Sequence, residues 1–259
     1  CLKAQGVRCV FGMPGTQNIQ IYDSLLRRGN GEIDHYLVRH EFAATIMADG
    51  YARATGKPGV CLLITGPGVT NATTALAEAY SDSVPLLCIS SVNQTSELGM
   101  GGGRLHELPS QRNLTSACTV FSHTVLDPGE IPHVLARAFA VFSSGRPGPV
   151  HIEIPINLLT VELDFSPEGV QTVTRPGPDP QRIEEAARLL ASASKPIIIL
   201  GGGAVDAGVD SLGWLLENGH LTAALYDRAA SLPSLEWRCG VSVEGARREG
   251  QRWRVQCGG

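Results

Sequence analysis

The chain lacks the features that define several large functional classes. No stretch approaches the roughly 18 consecutive apolar residues of a membrane span. The longest apolar runs, such as Pro196 to Leu200, have the length of buried strands. There is no basic excess: the net charge of −4 argues against a general nucleic-acid binder. Seven cysteines include no Cys-x-x-Cys pair and no metal-ligand spacing. Cys61 and Cys88 sit inside apolar strand-like runs, where thiols act as small hydrophobes. An odd cysteine count without a framework points to a reducing, cytoplasmic setting. The seven histidines are dispersed, so no metal site is expected. An amino-terminal Gly-x-Gly-x-x-Gly strand, turn and helix, which a flavin or dinucleotide enzyme needs, is missing. Residue 1 is Cys rather than Met, and no signal peptide is expected before the first strand pattern.

What is present is ordinary soluble-protein composition, 43% apolar and 18% charged, over 259 residues. That length suits one to two domains with a sizeable core. Short apolar runs alternate with amphipathic stretches. Val7 to Phe11, Tyr36 to Val38, Val60 to Ile64, Leu86 to Ser90 and Val150 to Ile154 read as strands. Between them 18–28, 41–55, 69–80 and 130–143 have helical spacing. The pattern predicts an α/β fold: a parallel sheet with helices on both faces. Such sheets bind ligands at the carboxyl ends of their strands.

The first domain is expected over 1–163, followed by a Pro-, Gly- and Thr-rich linker over 164–180. Residues 181–208 read as the truncated start of a second α/β segment. A helical pattern there leads to the strand 196–200 and the turn Gly201-Gly202-Gly203. From 209 to 259 the pattern changes to a helical run reaching about Ala230. Short strands follow at Leu235 to Cys239, Ser242 to Ala246 and Trp253 to Cys257. Turn signals between them predict a small α+β tail with antiparallel pairing.

The densest group of motifs lies between residues 40 and 85. His40-Glu41 opens an Ala-rich helix ending Asp49-Gly50-Tyr51-Ala52-Arg53-Ala54-Thr55-Gly56. An apolar strand follows, then Gly66-Pro67-Gly68-Val69-Thr70-Asn71, and finally Asp82-Ser83-Val84-Pro85. This layout places Glu41 and the 66–71 turn near one strand-end edge. A first-turn Glu by itself only complements a helix dipole. A glycine turn at a helix start by itself suggests a phosphate site. Asp82 to Pro85 reads as the entry to the next strand or a subunit contact.

These residues resemble the pyrimidine-binding domain of thiamine diphosphate enzymes of the acetolactate synthase and 2-oxoacid decarboxylase group. The resemblance starts near Gly6-Val7-Arg8-Cys9-Val10-Phe11-Gly12-Met13-Pro14-Gly15. It runs through Ser144-Gly145-Arg146-Pro147-Gly148-Pro149-Val150-His151-Ile152-Glu153-Ile154-Pro155, in five ordered motifs. It implies that Glu41 hydrogen-bonds a ring nitrogen of the cofactor's aminopyrimidine and handles its proton as an acid/base group. Pro14, Gly15, Pro67, Thr70 and Asn71 would line that cofactor end. The resemblance also implies a 2-oxoacid substrate and a homodimer or homotetramer, with the diphosphate-binding domain supplied by a second subunit. The family normally carries a short helix before this point, so the chain reads as truncated at its start.

Acetolactate synthases show Phe-Gln-Glu where this chain has Leu105-His106-Glu107, after Gly99-Met100-Gly101-Gly102-Gly103. With Phe121-Ser122-His123-Thr124, that triplet resembles the subgroup that decarboxylates 5-guanidino-2-oxopentanoate. His106 and Glu107 are therefore expected on a substrate-side loop. The family holds diphosphate and magnesium through Gly-Asp-Gly, which occurs nowhere in these residues. The chain is expected to hold half of an active site and to be inactive alone. Leu212-Gly213-Trp214-Leu215-Leu216-Glu217-Asn218 resembles a segment of flavin-dependent aromatic hydroxylases of the ubiquinone-biosynthesis type. That likeness raises the alternative of a chimeric chain with a junction near 205–211. A non-catalytic homologue used for assembly is a further alternative.

Overall fold

Apolar runs become strands wherever a flanking helix can cover them. In the computed structural model these are β1 (Cys9–Gly12), β2 (Asp34–Leu37), β3 (Gly59–Leu63), β4 (Leu86–Val92), β5 (Phe121–Thr124) and β6 (Val150–Pro155). The structure describes residues 1–28, 31–163, 177, 179–193, 243–249 and 252–257. The five expected strands lie within two residues of their expected ends. β5 was not expected: it is short, polar and only partly buried, so it has no apolar run to reveal it.

The helices between them are α1 (Ile19–Arg28), α2 (Glu41–Thr55), α3 (Pro67–Ser81), α4 (Gln111–Ser116) and α5 (Ile131–Ser144). α2 shows how local sequence sets its bounds. His40 takes extended backbone angles and its Nδ1 accepts from the Phe42 amide at 3.2 Å. Gly56 ends the helix in the left-handed region (φ 66°) and donates to the Ala52 carbonyl. α4 was missed because six residues cannot display a period. Ser110 nevertheless caps it, accepting from the Asn113 amide at 3.2 Å.

All six strands pair in parallel, in the order β2-β1-β3-β4-β6-β5. Strand alternation splits the core into two layers. Val10, Leu62, Leu87, Ile89, Val150 and Ile152 meet Tyr22 of α1 and Val134, Leu135 and Ala138 of α5. On the opposite face Phe11, Cys61, Leu63 and Cys88 meet the alanines and Leu76 of α2 and α3. Ala44, Ala48, Ala52, Ala72 and Ala79 are small, which brings these helices close to the sheet. At Gly59 a Cβ would overlap the Ala48 carbonyl. Leu62, Leu63, Leu76, Leu86 and Leu87 are fully buried. Each such side chain contributes about 1.5–3 kcal/mol by leaving water.

The chain divides into two units, Cys1–Arg175 and Pro176–Gly259, with the boundary inside the 164–180 stretch. In the second unit α6 (Pro180–Ser192) starts at Asp179, whose Oδ1 accepts from the Gln181 amide at 2.9 Å. β7 (Val243–Glu249) and β8 (Arg252–Cys257) form an antiparallel pair, the pairing expected for the tail. The expected strand 196–200, the helical run to Ala230 and the strand 235–239 lie outside the described residues. No helix among the described residues is long and apolar enough to cross a membrane.

Candidate functional site

In an open parallel sheet a crevice forms where consecutive connections leave in opposite directions. The strand order makes such a point between β1 and β3, since β2 lies on the far side of β1. The residues just past those two strands therefore face one another. They are the loop 13–18 and the turn 64–68, which overlap the sequence motifs Gly12 to Gly15 and Gly66 to Asn71.

Gly15 and Gly68 both close on Ile64. A Cβ on either would overlap the Ile64 side chain. The Gly15 amide donates to Asn18 Oδ1 at 2.6 Å, which fixes the loop after β1. Pro14 is exposed at its rim. Pro67 is exposed at the first position of α3, where its missing N–H costs nothing. Thr70 spends its hydroxyl on the Pro67 carbonyl at 2.9 Å, so it braces the turn.

Glu41 is the first residue of α2 and only 6% exposed. Asn71 Nδ2 donates to its Oε2 at 2.9 Å. Its Oε1 faces Gly68, where a Cβ would stand 3.4 Å away. No ion pair among the described residues involves Glu41. The structure thus brings Glu41, Gly15, Pro67, Thr70 and Asn71 to one strand-end edge. The arrangement is a buried carboxylate with one oxygen held and the other turned to a glycine-lined wall. Such a carboxylate can accept a hydrogen bond from, or exchange a proton with, a polar group placed beside it.

The loop 97–107 crosses this edge. Gln17 Nε2 and Asn93 Nδ2 both donate to the Leu105 carbonyl, at 2.9 and 3.1 Å. His106 follows in the left-handed region (φ 60°), an uncommon state for a non-glycine residue. Its carbonyl is wedged where a Cβ on Gly66 would sit. Its Nδ1 is buried with no partner among the described residues. Glu107 has a different role: its carboxylate accepts from the Arg104 and Gly102 amides at 2.9 and 3.2 Å. The Arg104 amide, foremost, holds this carboxyl below its usual range. Glu107 therefore closes its own loop, which Arg104 ties again to Glu97 at 2.9 Å.

A second crevice lies between β4 and β6, because β5 is placed outside β6. A cavity of about 280 Å³ opens there, lined among others by Asn93, Gln111, Arg112, Thr124 and Glu153. Below it runs a buried polar network. His151 Nε2 meets Ser90 Oγ, and its Nδ1 meets Thr115 Oγ1 and Ser122 Oγ, each at 2.8 Å. Burial lowers the His151 pKa to about 3, so the ring is neutral. Burial raises the Glu153 carboxyl, against hydrogen bonds from Thr124 and Gln111 that favour its charge. No cluster of potential metal ligands occurs among the described residues.

Sequence reasoning missed Ile64, Gln17 and Gln111. Ile64 was visible only as a strand end, and its role needs the glycines on both sides. Gln17 and Gln111 lie in polar stretches without a pattern.

Residues 1–114 match the family described as thiamine pyrophosphate enzyme, N-terminal TPP binding domain. The chain is 48% identical over 231 residues to a probable 2-ketoarginine decarboxylase of Pseudomonas aeruginosa, covering 88% of this chain and 40% of that protein. It is 42% identical over 214 residues to an acetolactate synthase of Arthrospira platensis, covering 80% and 36%. It is 42% identical over 203 residues to the acetolactate synthase isozyme 2 large subunit of Escherichia coli, covering 78% and 36%. These matches support a relationship to the thiamine diphosphate-dependent enzymes, and the six-stranded α/β fold agrees with their pyrimidine-binding domain. The chain spans 40% or less of the length of these relatives. A 231-residue match is longer than residues 1–208, so likeness to the Pseudomonas protein continues past residue 209.

Proposed function

We propose that this chain is the pyrimidine-binding part of a thiamine diphosphate-dependent 2-oxoacid decarboxylase or carboligase. The observation that carries the reading is Glu41 in the β1/β3 crevice, with Asn71 on one oxygen and Gly68 facing the other.

The crevice fits the aminopyrimidine end of the cofactor. Ile64 offers an apolar surface between two glycines, and Glu41 offers one oriented acceptor beside it. The cofactor supplies an electron sink for carbon dioxide loss from a 2-oxoacid. With that end of the cofactor bound, Glu41 would hold and return a proton at its aminopyrimidine ring nitrogen. Asn71 keeps the carboxylate in one rotamer, so no reorganisation is needed when the proton moves.

The diphosphate and its magnesium are assigned to a separate domain of a second subunit, in a homodimer or homotetramer. The substrate is a 2-oxoacid. Likeness to the 2-ketoarginine decarboxylase, and His106 in place of a glutamine, favour one with a guanidino group. His106 is assigned to the substrate side, supported by its buried, unpartnered Nδ1.

The test is a titration with thiamine diphosphate and magnesium of a fusion of this chain to the carboxyl-terminal remainder of the Pseudomonas relative, which supplies the diphosphate site, followed by amide and side-chain NMR signals. Signals of Gly68 and Asn71 are expected to move in the parent and much less after Glu41→Ala. Saturating cofactor with no change at either residue overturns the assignment.

A further inference from the structure

Gln111 opens α4 and is 3% exposed. Its amide meets groups from three strand ends. Oε1 accepts from Thr65 Oγ1 at 3.0 Å and from the Gly66 backbone N–H at 2.8 Å, just past β3. Nε2 lies 3.0 Å from Ser90 Oγ and 3.0 Å from the Ser91 carbonyl on β4, and 2.9 Å from Glu153 Oε2 on β6. The orientation of the amide is forced. The Gly66 N–H can only donate and the Ser91 carbonyl can only accept, so oxygen faces β3 and nitrogen faces β4.

Gly66 is where this matters. It caps α3 at φ 65° and ψ −113°, with no side-chain cap bond of its own. The His106 carbonyl presses on one side of it and Gln111 holds its N–H on the other. The chain then passes to Gly68, against Glu41 Oε1, and to Asn71, which donates to Glu41 Oε2. A shift at Gly66 therefore reaches both oxygens of the carboxylate.

We infer that Gln111 is a positioning residue. Its amide oxygen sets the Thr65–Gly66 turn, and through Gly68 and Asn71 the Glu41 carboxylate. Its amide nitrogen anchors that turn to the floor of the β4/β6 crevice, so one side chain ties the two crevices together. The consequence for cofactor binding rests on the proposed function; the structural link does not.

The experiment compares the parent chain with Gln111→Met and Gln111→Glu. Methionine keeps the volume and removes both ends. Glutamate keeps the acceptor for Gly66 and Thr65 and loses the nitrogen. Its carboxyl then shares a proton with Glu153. Hydrogen exchange at the Gly66 amide and the Asn71 side-chain resonances are read without cofactor. In Gln111→Met, Gly66 exchange is expected to rise about tenfold or more and the Asn71 signals to move. The β3 amides of Cys61 and Leu62 should keep their protection. A role in stability alone would raise exchange throughout and leave Asn71 in place. Gln111→Glu should restore the Gly66 and Asn71 behaviour of the parent. The inference is overturned if Gln111→Met leaves both unchanged, or if Gln111→Glu disturbs them equally. Should Gln111→Met fail to fold, the parent and Gln111→Glu still decide: an unprotected Gly66 amide in the parent overturns it. Adding thiamine diphosphate and magnesium to the same variants, fused to the carboxyl-terminal remainder of the Pseudomonas relative, separates the two readings. Affinity should fall about tenfold in Gln111→Met, the worth of one hydrogen bond. A parent that ignores the cofactor sinks the pyrimidine assignment while the exchange result stands.

Discussion

Asn71 donates to Glu41 across the gap between α3 and α2, with Nδ2 2.9 Å from Oε2. The bond fixes which carboxylate oxygen is spent and leaves Oε1 toward Gly68. A single carboxylate thus acquires a direction that its place in a helix would not give.

Glu41→Gln keeps size and one acceptor but cannot take a proton. The variant is best read in a fusion of this chain to the carboxyl-terminal remainder of the Pseudomonas relative. Proton exchange at the cofactor's thiazolium carbon should slow by about 10²–10⁴-fold, the usual worth of a positioned acid/base group. Cofactor affinity should fall far less. Exchange and 2-oxoacid turnover at the parent rate would reduce Glu41 to a helix-start residue.

Two glycines separate packing from propensity. Gly66→Ala places a Cβ in the His106 carbonyl at a left-handed φ, and should cost about 2–5 kcal/mol through clash and backbone strain. Gly50→Ala sits inside α2 with open space around it, and should stabilise the chain by about 0.5–1 kcal/mol. Urea unfolding of both variants checks the pair; equal effects would contradict the geometry at Gly66.

Arg53 joins Asp49 at 2.6 Å and Asp82 at 2.8 Å. The Asp49 side chain is 8% exposed, whereas that of Asp82 is 42% exposed. Arg53→Ala strands the buried carboxylate and should cost about 1–3 kcal/mol, discounted for the partly solvated guanidinium. Asp82→Ala should cost under about 1 kcal/mol. Denaturation midpoints that rank the two the other way would refute this reading of burial.

His151 and Glu153 act oppositely on stability as pH changes. His151 has a folded pKa of about 3 against 6.5, so the unfolded chain binds the extra proton between those values. Its contribution is complete above pH 6.5 and is lost as pH falls, by about 1.4 kcal/mol per unit. Glu153 is raised above 4.5, so its contribution is present below that value and lost as pH rises through the folded pKa. Glu153→Gln should therefore steepen the rise of stability between pH 4.5 and 6.5, and His151→Gln should flatten it. Stability measured across that window tests both signs.

Sequence alone determined the elements with strong local signals. The alternation of apolar runs and amphipathic stretches settled a parallel sheet with helices on both faces, because those periods are properties of a few adjacent residues. The Ala-rich spacing of α2, its left-handed Gly56 stop and Glu41 at its head were legible for the same reason. Tertiary structure decided what no local period encodes. Strand order put β1 beside β3, and only that adjacency brings Gly15 onto Ile64, which Gly68 also meets within its own turn. β5 became a strand because β6 offers it an edge, not because Phe121 to Thr124 carries a strand pattern. Gln111 sits in a polar stretch, yet it serves partners 20 to 46 positions away in the chain. Hydrogen-bond partners at that separation are chosen by where the backbone folds, so the amide that ties the two crevices together becomes visible only after the sheet is assembled.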